Sequence, residues 1–176
     1  MMKRIARKLR EERGFTLIEL MVVVLIIGIL IAIALPTFLG ARARAQNKAA
    51  TSDLRNAIAA AKTCYTDNDA YVWAAGQCDF TTLGGIEPSL RFVDHNVNSA
   101  NANSYAVSVA AGNVLAGDGQ AWGAARLSAA GNCYMITDLG VDPDGGGPQT
   151  AGTFRTSGAP CNGDTAIAKR ANDGSW

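Results

Sequence analysis

From Phe15 to Leu39 the chain runs for 25 residues with a single charge, Glu19. As a helix rising about 1.5 Å per residue, that run spans roughly 37 Å, more than the hydrocarbon core of a bilayer at about 30 Å. A charged head precedes it: Lys3, Arg4, Arg7, Lys8, Arg10 and Arg13 stand against Glu11 and Glu12, a net +4. The whole chain is +1, so the residues after Gly14 carry −3 by side chains. The nearest bases beyond the run are Arg42, Arg44 and Lys48. This imbalance predicts a cytoplasmic N-terminus and an outer remainder by the positive-inside bias.

Two ordinary accounts of such a run fall short. A secretory signal peptide has an apolar region of about 7–15 residues closed by a small-x-small site. Ala32-Ile33-Ala34 has that look, but Leu35, Pro36, Phe38 and Leu39 continue the apolar run beyond it. A plain membrane anchor explains the length and the basic head but not Glu19. A carboxylate inside a membrane segment costs up to about 3 kcal/mol at its centre, and by default it marks a function.

Gly14-Phe15-Thr16-Leu17-Ile18-Glu19, set between a basic head and a membrane-length apolar helix, resembles the precursor signature of type IV pilins and the related pseudopilins. The resemblance implies that a membrane peptidase cuts after Gly14 and that the new N-terminal residue, Phe15, is N-methylated. The freed amine is largely cationic at neutral pH. Glu19 lies one helical turn on, and the resemblance implies that its carboxylate meets the amine of a neighbouring subunit during recruitment and sets filament register. Methylation keeps the charge, so the pairing survives it. Gly28 and Pro36 interrupt the branched apolar helix; Pro36 lacks a backbone donor and marks a weak point. In the family the segment around that proline is reported to melt on assembly.

Past Ala41 the composition changes and the helical pattern continues. The stretch to Lys62 is alanine-rich, with neither Gly nor Pro. Leu54, Ile58, Ala61 and Tyr65 recur at helical spacing as an apolar stripe, with Lys48, Asp53 and Asn56 opposite. Arg42, Arg44 and Lys48 read as a solvated collar at the membrane surface rather than a lipid- or nucleic-acid-binding patch. The pattern ends near Asp67-Asn68-Asp69.

Beyond it the chain reads as β-rich. Ser104–Val109 alternates, placing Tyr105, Val107 and Val109 on one face. Gln120–Ser128 and Asn132–Thr137 are further strand candidates, separated by Gly- and Asn-containing turns. The C-terminal third, with Asp142-Pro143-Asp144-Gly145-Gly146-Gly147-Pro148, reads as loop. The expected fold is α+β. A long N-terminal helix, membrane-spanning in its first half and amphipathic in its second, packs on a small antiparallel sheet of three or four strands. The expected organisation is a leader at 1–14, an apolar membrane and filament-core helix at 15–39, its amphipathic continuation at 40–67, and a head at 68–176.

Cys64, Cys78, Cys133 and Cys161 all fall on the outer side, where an even count reads as two disulfides. Three connectivities are open to four cysteines. The family layout, with a late disulfide stapling a C-terminal loop to the sheet, matches Cys133–Cys161 and leaves Cys64–Cys78 to pin the helix end.

Other chemistry is thinly represented. Asp138, Asp142, Asp144 and Asp164 are weak calcium candidates, since some pseudopilins bind that ion near the C-terminus. Their spacing is not that of an EF-hand, and turn aspartates are the simpler account. His95 is the single histidine and has no evident nucleophile partner. No phosphate loop, metal cluster or paired-carboxylate motif appears, and Lys169-Arg170 reads as a solvated tail. The expectation is a non-enzymatic, cofactor-free filament subunit. Its partners would be itself, the prepilin peptidase, an inner-membrane assembly platform and, before assembly, the membrane. The alternatives are a pseudopilin of a type II secretion system and, in another class, a membrane-anchored binding domain without a filament. Adhesion, twitching motility, secretion and DNA uptake, and with the last a nucleic-acid partner, are not separated by the residues.

Overall fold

The structure, a computed structural model, describes residues 14–71, 78–99, 106–111, 121–139 and 152–169. The chain divides into two units, Met1–Ala41 and Arg42–Trp176. Helix α1, Leu17–Asn68, begins in the first and ends in the second, at the point the loss of helical pattern predicts.

In the first unit the helix starts on a reciprocal cap. The Thr16 amide and hydroxyl both donate to Glu19 Oε2, at 2.9 and 2.6 Å, while the Glu19 amide donates to Thr16 Oγ1 at 3.3 Å. Two donors that a helix start would leave open are thereby satisfied. Every residue from Phe15 to Leu39 is exposed. Pro36 sits inside the helix and withholds the donor that the Ala32 carbonyl would otherwise receive. Next to it the Thr37 hydroxyl bonds back to the Ala34 carbonyl at 2.8 Å.

The second unit is three layers: α1 from residue 42 onward, a five-stranded sheet, and a short helix. The strands are β1 (Phe92–Val93), β2 (Val107–Ala111), β3 (Ala121–Leu127), β4 (Cys133–Leu139) and β5 (Gly152–Ser157), in the order β1-β2-β3-β4-β5. β1 runs parallel to β2 over two residues and the other pairs are antiparallel. The sheet thus has one strand more than the largest expected meander and begins with a parallel edge. β1 is too short for alternation to register. β5, Gly-Thr-Phe-Arg-Thr-Ser, is a polar edge strand inside the stretch expected to be loop. Tyr105 and the Asp142–Pro148 segment lie outside the described residues.

One face of the sheet takes the helix. Leu54, Ala57, Ala61 and Cys64 of α1 pack with Val107, Val109, Trp122, Ala124 and Ile136, and the partly buried Ile58 and Tyr65 pack against this cluster. Asp53, expected on the solvated side, instead turns to the sheet and pairs with Arg126 at 2.5 Å. The stripe is broader than its large apolar members show, because alanines bury as well as leucines do in a close helix–sheet contact. The opposite face takes α3 (Gly163–Ala168), whose Ala166 and Ile167 meet Ala110, Ala121, Ala125 and Met135. Being covered on both sides, β2 is buried at all its positions rather than at alternate ones. α2 (Phe80–Ile86) is capped by Asp79, which accepts from the Thr82 amide at 2.8 Å.

Two glycines set how closely α3 approaches. A Cβ on Gly163 would lie 2.6 Å from the Ala110 nitrogen and the Val109 carbon, and one on Gly123 would lie 3.0 Å from the Ile167 nitrogen. Both contacts are with backbone, which cannot swing aside. Gly163→Val is expected to destabilise the subunit by about 1–3 kcal/mol, as overpacking does. Denaturant unfolding of the detergent-solubilised chain measures it, and an unchanged midpoint would contradict the packing.

Disulfides join Cys64 to Cys78 and Cys133 to Cys161, with Cα separations of 5.8 and 5.7 Å. The first ties the end of α1 to the loop before α2. The second ties the start of β4 to the segment before α3. Closing loops of 14 and 28 residues constrains the unfolded chain by about 3 kcal/mol or slightly more apiece.

Candidate assembly site

The residues singled out at the N-terminus come together within one turn. Gly14 and Phe15 precede the cap, and both are exposed. Among the described residues a Cβ on Gly14 would meet nothing within 4 Å, and the same holds for Gly28. Both Thr16 bonds fall on Oε2 of Glu19, and among the described residues no group bonds to Oε1. The carboxylate is held in place with one oxygen still available to a second donor. Thr16 was not among the expected site residues. Its signal was present in the Thr-x-x-Glu spacing at the head of an apolar run.

Elsewhere, groups that a sequence reading sets apart as candidate ligands are consumed by structure. Asp138 is only 7% exposed. Its carboxylate accepts from the Tyr71 hydroxyl and the Thr153 hydroxyl, each at 2.6 Å, and pairs with Lys62 Nζ at 3.3 Å. Asp164 is bound to His95 Nδ1 at 2.9 Å, while His95 Nε2 lies 3.5 Å from Asp94. Among the described residues no group of three or more metal-ligating side chains converges. Asp142 and Asp144 lie outside the described residues.

Burial, and after it the bond to Asp138, pushes the Tyr71 hydroxyl far above the ordinary tyrosine range. The ring also packs 4.8 Å from Tyr65 and 6.5 Å from Trp122. The folded state therefore holds this proton more tightly than the unfolded chain. Its contribution is complete below about pH 10, where a free tyrosine titrates, and is lost as pH rises beyond it. Tyr71→Phe is expected to cost about 1–2 kcal/mol at neutral pH by removing a donor from a buried carboxylate. Denaturation curves at neutral and alkaline pH check it. Equal losses at pH 7 and pH 11 would contradict the sign.

The family model "Prokaryotic N-terminal methylation motif" matches residues 9–35, which include the junction and the cap. The chain is 38% identical over 109 residues to the type IV major pilin protein PilA of Myxococcus xanthus, covering 62% of this chain and 43% of that relative. It is 37% identical over 97 residues to the type IV wide pilus major component PilA4 of Thermus thermophilus, covering 55% of this chain and 72% of that relative. The chain belongs to the type IV pilin family. This pilin is also 41% identical over 68 residues to the type II secretion system core protein G of Vibrio cholerae, covering 37% of this chain and 44% of that relative. No solved structure matches it.

The pilin's helix is long and apolar enough to cross a membrane by length and composition. Its head holds α1 from residue 42 by polar latches as well as by the core. Asn47 Oδ1 accepts from the Ser128 hydroxyl at 2.8 Å and from Asn132 Nδ2 at 3.2 Å, fastening the helix to the β3–β4 turn. Sequence reasoning missed Asn47, and no local spacing announces a partner 81 residues away.

Proposed function

We propose that this chain is a prepilin, a structural subunit that polymerises into an extracellular type IV pilus. It enters the membrane with its N-terminus in the cytoplasm and its head outside. The prepilin peptidase cuts between Gly14 and Phe15, and the Phe15 amine is methylated. The Phe15–Leu39 helix then leaves the lipid for the filament core, drawn in by the inner-membrane assembly platform. There the Glu19 carboxylate, oriented by Thr16, meets the Phe15 amine of a neighbouring copy. Two opposite charges in a low-dielectric bundle favour each other strongly, whereas either alone is penalised by several kcal/mol. Gly28 and Pro36 give the helix a place to adjust as it packs. The chain is the object of this chemistry and performs none of it.

One observation carries the reading. All residues from Phe15 to Leu39 are exposed in the isolated subunit. A continuous apolar surface of that size exists in water only when covered, and lipid before assembly and sister helices after it are the two covers available to a pilin. The test is to express the chain in a host with pilus machinery, shear the cells and label the sheared material with antibody to the head. Long labelled filaments are expected. The second reading, a pseudopilin, is favoured by the similarity to a secretion-system core protein. It would be supported instead if the mature chain assembled only short, cell-bound structures and was required for protein release.

A further inference from the structure

The charges of α1 beyond residue 41, Arg55 aside, include two groups. Some are spent within the head: Asp53 on Arg126, and Lys62 on Asp138. Others face outward and enter no ion pair among the described residues. Arg42, Arg44 and Lys48 are exposed at one end of this stretch, with Arg44 and Lys48 one helical turn apart. At the other end Asp67 and Asp69 are exposed, and the last turn of the helix contains no basic residue. Acidic groups at the negative end of a helix dipole are unfavourable unless a cation comes to them. The two sets lie about 34 Å apart along one rigid helix, so they cannot reach each other within a subunit.

We propose that the cationic turn Arg42–Lys48 of one subunit docks against the Asp67–Asp69 end of a second copy lying alongside. The second copy points the same way and is displaced by about 34 Å along the helix axis. This rests on the filament reading and adds a named lateral contact to it. An antiparallel pair would also match the charges, but it would close on itself. The parallel, staggered arrangement is open-ended: each copy offers one cationic and one anionic surface and leaves one of each for the next. The contact therefore propagates along a polymer. It favours this register, because at this displacement each charge group meets its opposite; the copy whose Phe15 amine meets Glu19, about 6 Å along the axis, is a different neighbour.

Charge reversal tests the contact in the full chain. One variant carries Arg44→Glu with Lys48→Glu, a second carries Asp67→Lys with Asp69→Asn, and a third carries all four changes. Asparagine suits position 69, where φ is 53°. The readout is sheared filament relative to mature subunit in the membrane. Each half-reversal is expected to lower that ratio roughly tenfold or more, as like charges are brought together. The combined variant is expected to restore most of it, and such a recovery also shows that the four changes permit folding. Wild-type ratios from either half-reversal would overturn the contact. So would a combined variant no better than its halves, the result expected if the cationic turn served anionic lipid headgroups instead. A wild-type chain that matures in the membrane but yields no filament would overturn the filament reading and the contact with it.

Discussion

Glu19→Gln should abolish most filament assembly while leaving membrane insertion and cleavage intact. The substitution separates two roles that Glu19→Ala would remove together. Glutamine at the third helical position still accepts from the Thr16 amide, so the reciprocal cap at the helix start survives. What goes is the negative charge. Each incoming Phe15 amine would then enter the bundle without a carboxylate to meet it. Removing one partner of a buried pair costs about 3–5 kcal/mol, and the penalty recurs at every subunit. The expected result is a fall in sheared filament of roughly a hundredfold, with the membrane pool of mature subunit undiminished. Glu19→Asp, which keeps the charge and shortens its reach, should fall between. Normal filament from Glu19→Gln would reduce the residue to a helix cap.

Gly14→Val is the second change with a large expected effect. A peptidase that recognises this junction needs a residue there without a bulky side chain, so the variant should accumulate in the membrane at precursor length. The structure makes the experiment clean. Among the described residues nothing lies within 4 Å of a Cβ at position 14, so a block would not arise from disturbed packing against them. Gel mobility of the membrane fraction checks it. Mature protein starting at Phe15 would show that the cut does not depend on Gly14.

What the sequence revealed and what it hid follow from the range over which each signal acts. The helix from Leu17 to Asn68 was legible because apolar runs, alanine content and the Asp67-Asn68-Asp69 ending are local. Val107 and Val109 were placed on a common face by simple alternation, and they do share the cluster with Trp122 and α1. Strand β5 was hidden for the converse reason: Thr153 to Ser157 are held by pairing with Asp138 to Tyr134, and nothing in their own composition announces it. Helix α3 is six residues long, shorter than two turns, so no periodicity could form. Asp53 was misplaced because a charge one position off the apolar stripe can turn either way. The decision lay with Arg126, 73 residues on. At the assembly site the junction and Glu19 stood out as chemical exceptions to their surroundings. The cap from Thr16 is equally local, carried by the Thr-x-x-Glu spacing, but a carboxylate in a membrane segment points first to a distant partner.

The chemical identity of the subunit's N-terminus in sheared filaments tests the central claim most directly. Intact-mass and N-terminal peptide analysis should show a chain that begins at Phe15, carries a methyl group on its amine and retains both disulfides. Filaments made of subunits that still hold residues 1–14, or that begin anywhere other than Phe15, would contradict the account. No free amine would then stand at the place where Glu19 is said to meet one.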